Sequence, residues 1–202
     1  MGKQIGIKKK IQGHTNIALD SDGQRESIAI SEALDKDSIG LIFSSPLKRA
    51  YSTIEPLARR KQKAIIYSKN LIERGLGVVE GLEIGNITSA KAYEQKLILL
   101  KTAEKNYRPD GGESLYDVSI RVREFLDFLS TINIKGIVVC MTHGGVLDIL
   151  YRIIMNEPLS SERKWVIPNG AFFLLERCES DFKIIKWAET NHLNGRGMLD
   201  EY

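Results

Sequence analysis

Ile137-Val138-Val139-Cys140-Met141-Thr142-His143-Gly144-Gly145 is the stretch on which the fold of this chain turns. The run Ile137 to Val139 reads as a buried strand. Val146, Leu147, Ile149, Leu150, Ile153 and Ile154 then recur at helical spacing. His143 therefore stands where a strand hands over to a helix. Such a junction is a ready anion site, because the unpaired N–H groups and the positive dipole end of the helix point outward at the carboxyl edge of a sheet.

Outward from that junction, helical and strand patterns alternate, as expected for helices packed on a largely parallel sheet. Ile28, Ile30 and Leu34 mark a helix before Gly40, and Leu41-Ile42-Phe43 is a short strand running into Ser44-Ser45-Pro46. Pro46 suits the first turn of a helix continuing through Leu57. Ala64-Ile65-Ile66-Tyr67 is a further strand. Leu71 to Tyr107 is the least regular part, and residues 81–107 are expected to form a lid or substrate-specificity insertion. Pro109-Asp110-Gly111-Gly112 is a turn, followed by a long amphipathic helix marked by Leu115, Val118, Val122, Phe125, Leu126 and Leu129, with Ser114 as its cap. Ala171 to Leu175 and Phe182 to Ile185 form a late pair of strands. The expected fold class is α/β, three-layer, with a mostly parallel sheet flanked by helices.

The chain has 202 residues, 43% apolar and 27% charged, which suits one domain spanning 1–202. A net charge of +3, dispersed along the chain, gives no footprint for nucleic acid, and Lys8-Lys9-Lys10 reads as a solvated run. Two cysteines, Cys140 and Cys178, supply neither a disulfide framework nor metal-ligand spacing and read as packing residues. No apolar stretch approaches membrane-spanning length and no signal segment opens the chain, so a reducing, cytoplasmic setting without a membrane partner is expected.

Polar groups at the ends of elements carry the chemistry. Arg49 can send a guanidinium fork from the start of a helix toward an oxyanion. Glu73 and Glu80 sit between glycines, where a carboxyl group could pass a proton to a leaving oxygen or simply pair with a neighbouring cation. Gly75 and Gly77 begin a dinucleotide fingerprint that fails at Glu80. His143-Gly144-Gly145 is similar to the oxyanion-hole glycines of some esterases, but no G-x-S-x-G supplies a nucleophile. His14, His143 and His192 are too far apart in sequence to argue for a metal cluster.

Taken in order, these pieces resemble the histidine phosphatase superfamily in its phosphoglycerate mutase-like branch. Ile11 to Leu19 is similar to the loop before the family's first helix, and Asp22-Gly23 to the pair that opens that helix. Ser44-Ser45-Pro46-Leu47-Lys48-Arg49-Ala50 with Thr53 resembles S-S-P-L-x-R-A-x-x-T, and Leu71 to Gly81 resembles L-x-E…G-x-x-E-G. Gly111-Gly112-Glu113-Ser114 resembles G-G-E-S, Thr142 to Gly145 the second histidine motif, and Pro168-Asn169-Gly170 the lead into a late strand. The resemblance implies a phosphomonoester-hydrolysing or phosphoryl-transferring enzyme that works through a phosphohistidine and needs no cofactor or metal. It implies Glu73 and His143 as catalytic residues, and Gln12, Gly13, Arg49, Arg74 and Gly144 as phosphate- or substrate-binding ones. The implied partner is a small phosphorylated metabolite, and a homodimer is left open.

One family motif is missing, since no Arg-His-Gly occurs in the 202 residues. Registering Gln12-Gly13 on the family loop puts that motif and its strand upstream of Met1, with Gln4 to Ile7 a candidate to pair at the vacant place. His14 belongs to the loop after the motif and is expected to face solvent or pack. His192 is expected to be structural. Loss of a covalent nucleophile removes orders of magnitude of rate, while the remaining donors can still bind an anion. Two readings follow: a family phosphatase with a shortened chain and impaired activity, or a non-catalytic phospholigand-binding or regulatory pseudophosphatase. An ordinary nucleotide-binding domain is a weaker third.

Overall fold

The computed structural model describes residues 10–82, 105–179 and 181–193. Helix α1 (Ser21–Ala33) is opened by Asp20, whose carboxylate accepts from Gly23 N. It leads to strand β1 (Ile39–Ser44), helix α2 (Lys48–Lys61) and strand β2 (Ile65–Tyr67). Two single 3-10 turns, Lys69–Leu71 and Gly77–Val79, interrupt the following loop. Helix α3 (Leu115–Thr131), strand β3 (Ile137–Met141), helix α4 (Gly144–Met155) and strands β4 (Phe172–Cys178) and β5 (Asp181–Glu189) complete the order.

β1 lies between β2 and β3, parallel to both, while β4 and β5 pair antiparallel as a separate sheet. The chain is thus a mixed α/β structure with a three-stranded parallel sheet flanked by helices. Side chains alternate across β1 as strand geometry demands. Ile42 packs with Ile30 of α1 and with Ile54, Leu57 and Ala58 of α2, whereas Phe43 packs with Leu71 and with Phe125 of α3 on the other face. A register irregularity between Ile39 and Leu41 lets Ile39 share the face of Ile42. α3 and α4 pack through Val118, Val122, Leu126, Val146 and Ile149.

Three expectations are corrected. Ile137 to Val139 do not form a fully buried strand: Ile137 is exposed and the rest of β3 half-buried. Among the described residues β3 has a strand partner on one side only. Pro46 does not enter the first turn of α2, because Leu47 stays extended (ψ 137°) and caps that helix. Pro56 instead lies inside it. Cys178 is exposed rather than packed. Residues 83–104, most of the expected lid, and Gln4 to Ile7 lie outside the described residues. Among the described residues, no helix is long and apolar enough to cross a membrane.

Candidate active site

The carboxyl ends of β1 and β3 and the start of α4 open onto a cleft of about 510 Å³. Gln12, Arg49, Glu73, His143 and Gly144 line it, together with Thr142, residues of α1 and the Ile167 to Ala171 segment. Each arrives by a different local device. His143 is the residue before α4, with extended backbone (φ −131°, ψ 166°), so its side chain leaves the sheet as the helix begins. Arg49 occupies the first turn of α2. Glu73 comes from the irregular loop after β2, where no regular hydrogen-bond ladder constrains it.

His143 is buried, and its Nε2 is 2.7 Å from Ser45 Oγ, itself fully buried. Ser45 N donates to Met141 O, which ties the β1–α2 corner to the end of β3. Burial, then the positive charges of Arg49 and Arg121 and the neighbouring His14, push the His143 imidazole down to about 3, so it is neutral at ordinary pH. Glu73 is also buried, and that burial raises its carboxyl above the ordinary range. The N–H groups of Arg74 (2.7 Å) and Gly145 (3.3 Å) and the charges of Arg49 and Arg121 pull the other way. A protonatable carboxyl and a neutral imidazole thus face the N-terminal end of α4, with a cation beside them. This set can hold an oxyanion and exchange a proton with it.

Gly145 makes the approach of Glu73 geometrically admissible. A Cβ there would lie 2.5 Å from Glu73 Oε1. Arg49 is anchored by its fork, Nη1 donating to Thr15 O (3.0 Å) and Nη2 to Gly13 O (2.8 Å).

Two sequence candidates are not in the cleft lining. Gly13 has φ +49°, and a Cβ on it would sit 2.2 Å from Glu80 Oε1, so its backbone packs on Glu80 while its carbonyl holds Arg49. Arg74 turns away, its Nε donating to Glu113 O and its Nη2 to Tyr107 O. The two glutamates that looked alike also separate. Glu80 receives His14 N, Leu76 N and Thr15 Oγ1, which makes it a brace for the loop of residues 13–15.

His14 is exposed, as the solvent-facing or packing expectation has it, and its Nε2 also lies 2.6 Å from Glu73 O. His192 is structural, stacked on Phe172 with Nε2 2.9 Å from Gly170 O. Ser45, Glu113 and Arg121 were not singled out as individual site residues from the sequence. For Ser45 and Glu113 the S-S-P and G-G-E-S segments were the available signal, and Arg121 looks like any helix-surface arginine. Among the described residues no cluster of three His, Cys, Asp or Glu side chains could hold a metal ion.

The chain is similar in sequence and fold to several known proteins. Over 195 residues the chain is 28% identical to Phosphoglycerate mutase-like protein 4 of Arabidopsis thaliana, covering 95% of this chain and 83% of that protein. It is 24% identical over 184 residues to Phosphoserine phosphatase 1 of Hydrogenobacter thermophilus, covering 91% and 86%. A mycobacterial glucosyl-3-phosphoglycerate phosphatase, solved as a complex with VO3, superimposes with a TM-score of 0.73 at 26% identity, covering 90% of this chain and 91% of that one. Bacillus stearothermophilus YhfR shares the fold with a TM-score of 0.77 at 22% identity, covering 91% and 90%. The profile of the histidine phosphatase superfamily (branch 1) matches residues 4–190, and the chain belongs to that family, with phosphoglycerate mutase-like proteins and phosphatases among its relatives.

Proposed function

We propose that this chain binds the phosphoryl group of a small phosphorylated metabolite and acts on it as a phosphomonoesterase, slowly in the form given by these 202 residues. The observation that carries the reading is the convergence of Arg49, Glu73 and His143, from three separate segments, on one cleft at the start of α4. Arg49 supplies charge to the phosphoryl oxygens, neutral His143 supplies a hydrogen bond, and α4 adds its dipole. Gln12 and Gly144 border the same space. Glu73, protonated more readily than an exposed glutamate because it is buried, donates to the leaving alcohol oxygen as the P–O bond breaks. With no Arg-His-Gly in these residues, water forms the new P–O bond as the bond to the alcohol breaks, the water's proton passes through the phosphate formed back to the Glu73 carboxylate, and the rate advantage of a covalent phosphohistidine is forgone.

Inorganic phosphate or vanadate titrated calorimetrically tests the pocket. Binding is expected, weakened about 10- to 100-fold by Arg49→Ala, the usual effect of removing a charge-assisted hydrogen bond. No binding, or binding indifferent to Arg49→Ala, would remove the proposal. A generic aryl phosphate is expected to turn over slowly and to leave no phosphohistidine. Fast turnover that His143→Ala abolishes, with a phosphorylated His14 or His143 seen by mass spectrometry, would contradict the slow form of the reading. The missing triplet also favours a second reading, a phospholigand-binding protein without turnover. Phosphate binding with no Arg49-dependent hydrolysis would select it.

A further inference from the structure

Arg121, in the middle of α3, makes four hydrogen bonds from a single guanidinium while only 12% exposed. Nε and Nη2 grip the two carboxylate oxygens of Glu113 at 2.9 and 3.0 Å. Nη1 donates to Asn70 O at 2.9 Å and Nη2 to Glu73 O at 3.2 Å. Glu113 passes the grip on, because its Oε2 accepts from Gly75 N (2.8 Å) and its own N–H donates to Gly75 O (2.7 Å). One cation therefore pins the irregular loop before, at and after Glu73. His14 Nε2 meets the same Glu73 carbonyl from the opposite loop.

We propose that Arg121, acting through Glu113 and the carbonyls of Asn70 and Glu73, is the positioning residue that holds the Glu73 carboxyl group at the N-terminus of α4. The assignment rests on the reading of Glu73 as the proton carrier. A carboxyl group on a loop without secondary structure has many rotamers and backbone states, and a proton donor must stay within hydrogen-bond reach of its acceptor. A planar fork with five donors is suited to tying several carbonyls and a carboxylate at once, which a lysine ammonium on a flexible stem is not. The charged groups facing Glu73 are Arg49 from α2, Arg121 from α3 and its neighbour Arg74, while α4 contributes the Gly145 N–H. Arg121 also donates to the Glu73 carbonyl, so it holds the loop's own backbone at that residue.

The test is an NMR titration of the full chain labelled with 13C at glutamate Cδ, the Glu73 signal being assigned by its loss in Glu73→Gln. Amide exchange at Gly145 and Arg74, the two N–H donors to that carboxylate, is measured alongside. In Arg121→Met the Glu73 midpoint is expected to rise by about one pH unit as a nearby cation is lost. Exchange at Gly145 is expected to quicken about tenfold as a hydrogen bond to a charged group loosens. Arg121→Lys, which keeps the charge and loses the fork, is expected to quicken exchange with a smaller change of midpoint, and it serves if Arg121→Met does not fold. An unchanged midpoint with unchanged exchange, or a uniform loss of protection throughout the chain, would show that Arg121 only packs the loop and would overturn the assignment. Phosphate binding by the unmodified chain is read separately. Its failure would remove the proposed function without moving the Glu73 titration.

Discussion

At the scale of single residues, His143 shows how burial and charge set a protonation state. Its imidazole is held near 3 in the folded chain against an ordinary value of 6.5. Between those values the unfolded chain binds a proton that the folded chain does not, so this group's stability is fully present above about pH 6.5 and is lost as pH falls toward 3. The loss is expected to be on the order of a few kcal/mol, with no such slope in His143→Gln. Urea unfolding of both proteins at pH 7 and pH 4 checks this. Equal slopes would mean that His143 is solvated. Glu73 contributes with the opposite sign, since its raised carboxyl loses stability as pH rises through its folded value, and the difference between the two proteins isolates His143. The histidine itself was legible in the sequence, because a strand run broken by His-Gly-Gly marks a sheet-edge junction. Its partner Ser45, 98 residues away, was not legible as a contact.

At the scale of elements, the helices with clear local signals formed close to where they were expected. α3 has its apolar stripe and its cap in the sequence, and the structure adds a reciprocal arrangement: Ser114 Oγ accepts from Asp117 N while the Asp117 carboxylate accepts from Ser114 N. Ser114→Ala is expected to cost about 1 kcal/mol, measured by urea unfolding at neutral pH, because one orphan N–H of the first turn loses its acceptor. Glu113 stands immediately before this cap, so a frayed α3 start also loosens the grip on Gly75. A Ser114→Thr variant keeps the acceptor and is expected to recover most of the loss. The loop after β2 was not legible in this way. Its glutamates share the same glycine-rich surroundings, and only the folded path sends Glu73 to the cleft and Glu80 to brace the loop of residues 13–15.

At the scale of the whole molecule, the cleft joins parts of the chain that have no local reason to meet. A ligand in the cleft would tie α2, the Glu73 loop and α4 together, and one that binds only the folded chain stabilises it. Phosphate at a hundred times its dissociation constant is expected to stabilise the fold by about 2.7 kcal/mol. That corresponds to a rise in Tm of roughly 5–10 °C for a chain of this length. A thermal melt with and without phosphate measures it, and a rise that persists undiminished in Arg49→Ala would place the anion elsewhere. β3, whose sequence is that of an interior strand, is half-buried after an exposed Ile137, and among the described residues it is paired by β1 alone.

The sequence by itself determined the alternation of strands and helices, the cap of α3, the junction at His143 and the order of motifs that marks the family, because each of these depends on periodicity and chemistry over a few neighbouring residues. The tertiary structure decided which polar groups share the cleft. It brought Arg49, Glu73 and His143 together, turned Arg74 toward Tyr107, set Ser45 against His143 and ran the Arg121 fork to Glu113 and the Glu73 carbonyl. Those pairings join residues from 8 to 98 positions apart, and the spacing of residues along a chain carries no record of the path that closes such distances.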